Sequence, residues 1–308
     1  LIQWLMIKFV LINNGVDALG HYFFYLSIVA PLFMLIGAHF KNYATQNIYG
    51  HWPLLLQIRI AQLLLLLVCT LLLGVYFNTS LFILVAVLKL FEMSVDTKHA
   101  LEIRQQRVGF VLGLVLLSLL IMLLAFWLEA QLLIVGWFGV AFFILMYASI
   151  DPKIGLTASF SPTKVARPFF KIITTIGFQA GIVALIASIP RVSLEYLGSS
   201  VDLAIFGALI YFYLIAQMIT ISLFQSAIKS GRRMKVVKPI MQLLVLGIVA
   251  TVISIYIAKP LVTLIFDEQM ANYSSWLPYF VGFITIGALG IFLEQVFIQL
   301  GEAKHLLR

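Results

Sequence analysis

Apolar residues in this chain come in long continuous runs, neither alternating nor confined to narrow stripes. A helix of ~20 residues crosses a ~30 Å hydrocarbon core, and apolar windows of that length recur from one end of the chain to the other. About ten spans can be marked by hydropathy. They cover 1–13, 20–39, 58–76, 81–97, 108–127, 131–150, 169–190, 201–227, 239–258 and 277–299. The pattern predicts an all-α, polytopic integral membrane protein. A transmembrane barrel would instead show short segments of alternating polarity.

The polar positions between the spans fall into two sets. One holds Lys41 and Arg59, then Lys98, Arg104 and Arg107, then Lys153, Lys164, Arg167 and Lys171. It continues with Lys229, Arg232, Arg233, Lys235 and Lys238, and ends with Lys304 and Arg308. The other holds Asp17, Glu129, Glu195, Asp202, Asp267 and Glu268, with Arg191 and Lys259 as its cations. Basic loops stay in the cytoplasm. The first span therefore runs outward from a cytoplasmic N-terminus.

The longest connector, "DPKIGLTASFSPTKVARPFFK", carries Asp-Pro and Ser-Pro steps that break helices, and basic side chains that suit a cytoplasmic, lipid-facing surface. It predicts a seam between a six-helix N-terminal lobe, 1–150, and a C-terminal lobe of four helices, 169–308, joined by a linker at 151–168. A short repeat spans that seam. In "KFVLINNGVDALG" and "RVSLEYLGSSVDLAIFG" a cation (Lys8, Arg191) precedes leucine by three and glycine by seven, and Val-Asp follows. The copies lie six spans apart and face the same way, as in parallel duplicated halves.

Composition narrows the class further. Of 308 residues, 63% are hydrophobic and only 10% charged, too little polar surface to coat a water-soluble body. The net charge of +8 is spread over short loops, so it reads as topology and not as a nucleic-acid footprint. One cysteine, Cys69, precludes an internal disulfide. The chain opens at Leu1 inside an apolar run without a signal-peptide pattern, which predicts a fragment of a longer protein.

Ionisable groups inside apolar spans are costly and tend to face a cavity or one another. Lys8, Lys89, Glu92 and Glu294 qualify, with Asp96 and Arg191 near span ends. Lys89, Glu92 and Asp96 share one helix face by their spacing, as a self-neutralising pair or as a cavity lining. Glu294 is either a proton or cation site or an acid snorkelling to the interface. Gln179 and Gln217 are polar candidates that equally serve as interhelical glue. Pro31, Pro190 and Pro260 should kink or end their helices. The five histidines lack metal-ligand spacing, and no nucleophile elbow or Walker loop occurs. Neither an enzyme nor a metal or cofactor site is expected.

The stretch "SIPRVSLEYLGSSVDLAIFGALIYFYLIAQM" resembles the start of the second half of polysaccharide-biosynthesis flippases. These are the Wzx-type lipid-linked oligosaccharide exporters of the multidrug/oligosaccharidyl-lipid/polysaccharide exporter superfamily. The family's Ile-Pro-Arg…Glu-Tyr…Leu-Gly pattern maps onto Ile189, Pro190, Arg191, Glu195, Tyr196, Leu197 and Gly198. "LVTLIFDEQMANYSSWLPYF" resembles its later span-loop-span unit, and "LKLFEMSVDTKHALEIRQQR" its fourth span and basic loop. The chain departs from the family at "QSAIKSGRRMK", where a small-residue and proline segment is usual.

The resemblance implies two six-helix lobes around a central cavity in the bacterial plasma membrane, so at least two helices would follow Arg308. It implies a polyprenyl-diphosphate-linked oligosaccharide as substrate, with membrane lipids, a polysaccharide polymerase and glycosyltransferases as partners. Such a substrate has an anionic head, and arginine donates to a diphosphate in pairs. On that reading Arg191 and Lys8 are twin cations of the two lobes; otherwise Arg191 pairs with Glu195 one turn on. A drug or small-cation exporter of the same superfamily is the alternative. A membrane-embedded glycan polymerase or ligase would need a large external loop that the spacing of spans leaves no room for. The loop charges make one direct prediction. Cysteines at Ser199 and Tyr273 should react with an impermeant thiol reagent in sealed cells, and cysteines at Ser161 and Ser230 should not.

Overall fold

The computed structural model describes residues 2–37, 52–104, 109–149, 177–212, 237–266 and 268–299. The predicted linker, 151–168, lies outside them. Among the described residues the regular structure is all-helical. In chain order it comprises α1 (Ile2–Gly37), α2 (Trp52–Phe77), α3 (Ser80–Arg104), α4 (Gly109–Trp127) and α5 (Gln131–Ser149). There follow α6 (Phe178–Leu197), α7 (Ser200–Phe212), α8 (Val237–Ile265), a short α9 (Glu268–Ala271), a 3-10 turn (Ser274–Trp276) and α10 (Leu277–Gln299). Four helices are long and apolar enough to cross a membrane: α1, Leu56–Phe77 within α2, α4, and Ile240–Ile265 within α8. This is the make-up of a helical membrane protein.

The chain divides into two compact units, Leu1–Ser200 and Val201–Arg308. The first helix beyond the predicted linker, α6, packs on α1 inside the first unit. Pro31, Pro190 and Pro260 all lie inside helices, so α6 continues beyond Pro190 and carries Arg191 and Glu195 on a helical surface.

Helix α1 is one element but not one rod. Gly15 has φ 82° and ψ −180°, a region essentially reserved for glycine. The Gln3 amide donates to Glu92 on α3, while Gly37, at the other end of α1, accepts from Arg59. Arg59 also donates to the carbonyl of Met93, the residue after Glu92. In a straight helix Gln3 and Gly37 would stand about 50 Å apart. They meet the same turn of α3, so the chain folds back at Gly15. Over the described residues, the predicted spans 1–13 and 20–39 fall on the two arms of this hairpin.

Tight turns close the next two hairpins. Asn78 adopts the left-handed conformation (φ 47°) to end α2, its N–H bonded to the Gly74 carbonyl at 2.9 Å. Thr79 then accepts the Phe82 N–H at 3.2 Å as the first cap of α3. Glu129 (φ 52°) makes the corresponding turn between α4 and α5. The buried carboxylate of Glu102 accepts the Val111 N–H at 3.2 Å, tying the end of α3 to the start of α4. Phe91 meets Phe138 at 4.8 Å between ring centres, and Trp137 donates to Ser118 at 3.0 Å. In the second unit Gly247 lets α8 approach Thr285 of α10, and Phe206–Phe280 and Phe212–Phe266 contacts hold α7.

Arg59, expected among the basic loops, is instead a core residue of α2 with 2% exposure. Its nitrogens donate to Thr97 Oγ1 at 2.8 Å, the Gly37 carbonyl at 3.0 Å, Gln62 Oε1 at 3.3 Å and the Met93 carbonyl at 3.0 Å. Three helix segments converge on one guanidinium. The correction has a simple cause. Counting charges by loop cannot distinguish a cation at a helix entrance from one inside it, because the side chain alone decides. Lysine cannot reproduce a planar fork of donors. Arg59→Lys should therefore cost about 1.5–3 kcal/mol, read as a Tm several degrees lower in detergent. An unchanged Tm would refute the clamp.

Candidate functional site

Beyond the Arg59 clamp, the candidate residues described in the first unit gather in two places. The first lies between the N-terminal arm of α1 and the middle of α3. Lys89 Nζ pairs with Glu92 Oε2 at 2.7 Å, and Gln3 Nε2 donates to Glu92 Oε1 at 2.5 Å. The carboxylate is thus held from its own helix and from α1. Lys8, one turn beyond Trp4, places its ammonium over the Trp4 ring at 5.3 Å. Asp96 departs from this group: it is exposed and lies one turn further along α3, near Thr97 and Arg59. The i, i+3, i+7 stripe read from the sequence is therefore divided between the Lys89–Glu92 pair and the neighbourhood of Arg59.

The second place is the seam between the C-terminal arm of α1 and α6. The helices run antiparallel, since Leu35 meets Gly181, Phe24 meets Tyr196, and Gly20 meets Ser200. A Cβ at Gly20 would strike the Ser200 carbonyl, so glycine is what permits this approach. Ser200 Oγ donates to Asp17 Oδ1 at 2.5 Å. His21 Nδ1 pairs with Glu195 Oε1 at 3.2 Å, and the other oxygen of Glu195 is buried without a hydrogen-bond partner among the described residues.

Arg191 occupies the same seam. Its guanidinium carbon lies 6.0 Å from the centre of the Phe23 ring, within cation–π range. The ion pair with Glu195, the alternative to a ligand role for Arg191, does not form, because Glu195 turns to His21. The Arg191 Nε is buried and has no hydrogen-bond partner among the described residues. Asn13 Nδ2, just before the Gly15 turn, is in the same condition. Both glycines of the sequence repeat end a helix: Gly15 at the reversal of α1, and Gly198 at the end of α6, where its N–H bonds the Leu194 carbonyl at 3.0 Å.

The remaining candidates are less defined. Gln179 lies on α6 and Glu294 on α10, and their side chains fall outside the described residues, as does Gln217 entirely. No group of three metal-ligating side chains occurs among the described residues. Sequence reasoning passed over Gln3, His21, Tyr22 and Phe23. Their roles depend on which helix faces them. A signal for Arg59 did exist: Gln57, Arg59 and Gln62 interrupt an apolar run and are all buried, at 7%, 2% and 1% exposure.

Comparison of the chain with protein-family models, with curated proteins and with solved structures finds no match.

The geometry of the first cluster carries a test of its own. Removing one member of a part-buried pair leaves the other uncompensated, whereas removing both leaves no such charge. Lys89→Met should lower thermal stability more than the Lys89→Met/Glu92→Gln double variant does. A double variant as damaged as the sum of its singles would mean that the pair is not coupled.

Proposed function

We propose that this chain is a membrane transporter that moves a lipid-linked oligosaccharide, carried on a polyprenyl diphosphate, across the bacterial plasma membrane by alternating access. The observation that carries the reading is the contrast between two arginines. Arg59 has its donors taken up by carbonyl, amide and hydroxyl oxygens and serves the fold. Arg191 rests on an aromatic ring with a buried donor unspent, and the carboxylate one turn away is engaged by His21. A guanidinium so placed is prepared for an external anion with oxygens in pairs, as a diphosphate has.

On this reading the full architecture has about ten spans in this chain, arranged as two pseudo-symmetric bundles around a central cavity. Lys8 is the counterpart of Arg191 in the first half. That both matched glycines end helices supports the duplication. Lys89 and Glu92 line the N-terminal lobe's share of the cavity wall, the lipid tail stays in the bilayer, and no chemistry is performed on the glycan. The small-cation exporter is less well supported, since Glu92 is already held by Lys89 and Gln3.

Complementation of a flippase-deficient strain, with protein level checked by blot, tests the assignment. Arg191→Lys should retain part of the transport, because the charge survives while the fork is lost. Arg191→Ala should lose most of it, about ten- to a hundredfold in affinity for one charge-assisted contact. Wild-type transport by a normally expressed Arg191→Ala protein would remove Arg191 from the binding site.

A further inference from the structure

The α1–α6 seam holds an imidazole, His21, whose position gives it a task. His21 is half exposed at its side chain (50%), while its partner Glu195 is largely covered (17%). The imidazole can therefore exchange protons with the aqueous side, but the carboxylate it holds cannot readily find water. Glu195 has one oxygen on His21 and the other buried without a hydrogen-bond partner among the described residues. Its charge is balanced locally by His21 alone among the ion pairs of this seam. Arg191, one turn earlier on α6, is turned toward Phe23.

We propose that the His21–Glu195 pair is a proton-binding site that latches α1 to α6 over Arg191. With His21 protonated, an ion pair joins the two helices at the end that the loop charges assign to the outside. With His21 neutral, the contact falls to an ordinary hydrogen bond, and the part-buried carboxylate loses its ion-pair partner, since Arg191 is turned to Phe23. The seam is then free to open. A histidine changes charge between about pH 5 and about pH 8 unless its surroundings intervene, so the latch closes on acidification and loosens as pH rises.

The neighbours of the pair are consistent with this assignment. On α1, Asp17 is bonded to Ser200 and Tyr22 is buried beside His21 in the chain. On α6, Arg191 faces the Phe23 ring and Tyr196 packs on Phe24. From α2 and α3, Phe77 and Phe82 pack on Phe24 and Tyr25 one turn along α1, with Tyr76 on Phe77. The close approach of Gly20 to Ser200 makes the contact sensitive. There is no slack in the seam, so a small separation breaks the Asp17–Ser200 and His21–Glu195 contacts together.

The latch gives the proposed transporter control over access to Arg191 and rests on that reading for its purpose. Its existence can be measured without substrate. Spin labels at Asn14→Cys and Leu197→Cys, in a Cys69→Ser background and in lipid nanodiscs, report the separation of the outer ends of α1 and α6 by dipolar broadening. The broadened population should dominate at about pH 5, and the closed-to-open ratio should fall about tenfold by about pH 8, the scale of one charge-assisted hydrogen bond. His21→Gln should show the high-pH spectrum throughout. If that variant does not fold, Glu195→Gln should do the same. A pH-independent spectrum in the parent, or a pH response that survives in the folded variant, would overturn the latch. Neither result bears on complementation by Arg191 variants, so the latch and the flippase reading fail separately.

Discussion

A single buried cation organises the first unit. Arg59 sits in an apolar helix where no solvent can satisfy it, so its donors must find oxygens on neighbouring segments. They find the last carbonyl of α1, a glutamine one turn along α2, and a hydroxyl and a carbonyl on α3. Each such bond to a charged donor stabilises by about 1.5–3 kcal/mol, while an unmet one would leave a comparable penalty. The geometry is therefore sharply specified. Fixing the end of α1 against α3 also fixes the direction of its C-terminal arm, and with it the face that meets α6.

The reversal at Gly15 depends on the same region. Glu92, adjacent to the Met93 carbonyl that Arg59 engages, receives the Gln3 amide from the start of α1. Both ends of α1 are thus anchored within one turn of α3, and the bend between them falls on the residue that tolerates φ 82°. Arg191 stands in contrast. It is held by an aromatic face and by shape, with a donor left over, which is an expensive arrangement for structure alone. Burying one guanidinium donor without an acceptor carries a cost that the aromatic contact does not remove.

Much of the fold could be read from the chain. The apolar runs at 108–127, 131–150 and 277–299 became α4, α5 and α10 within a residue or two, because continuous hydrophobicity of that length admits only a helix. The left-handed residues Asn78 and Glu129 close the turns just after the third and fifth runs. The candidate site was legible only in part. Lys89 and Glu92 pair as their spacing allowed, but Asp96 lies exposed beyond them, and Arg191 does not take the partner that an i, i+4 rule offered. Spacing states which side chains can meet on one helix and is silent about competitors on the next.

What the sequence determined by itself is the class of protein and the approximate placing of its apolar helices. Both follow from local quantities: the length of apolar runs and the residues that close turns. What only the tertiary structure decided is the fate of each polar group. Arg59 became a clamp because three helix segments present oxygens to it, Glu195 turned to His21 because α1 lies across α6, and Arg191 kept a donor because Phe23 faces it. Those outcomes depend on which surfaces are brought together, and a buried polar group takes the partner that packing supplies, not the nearest one in the chain.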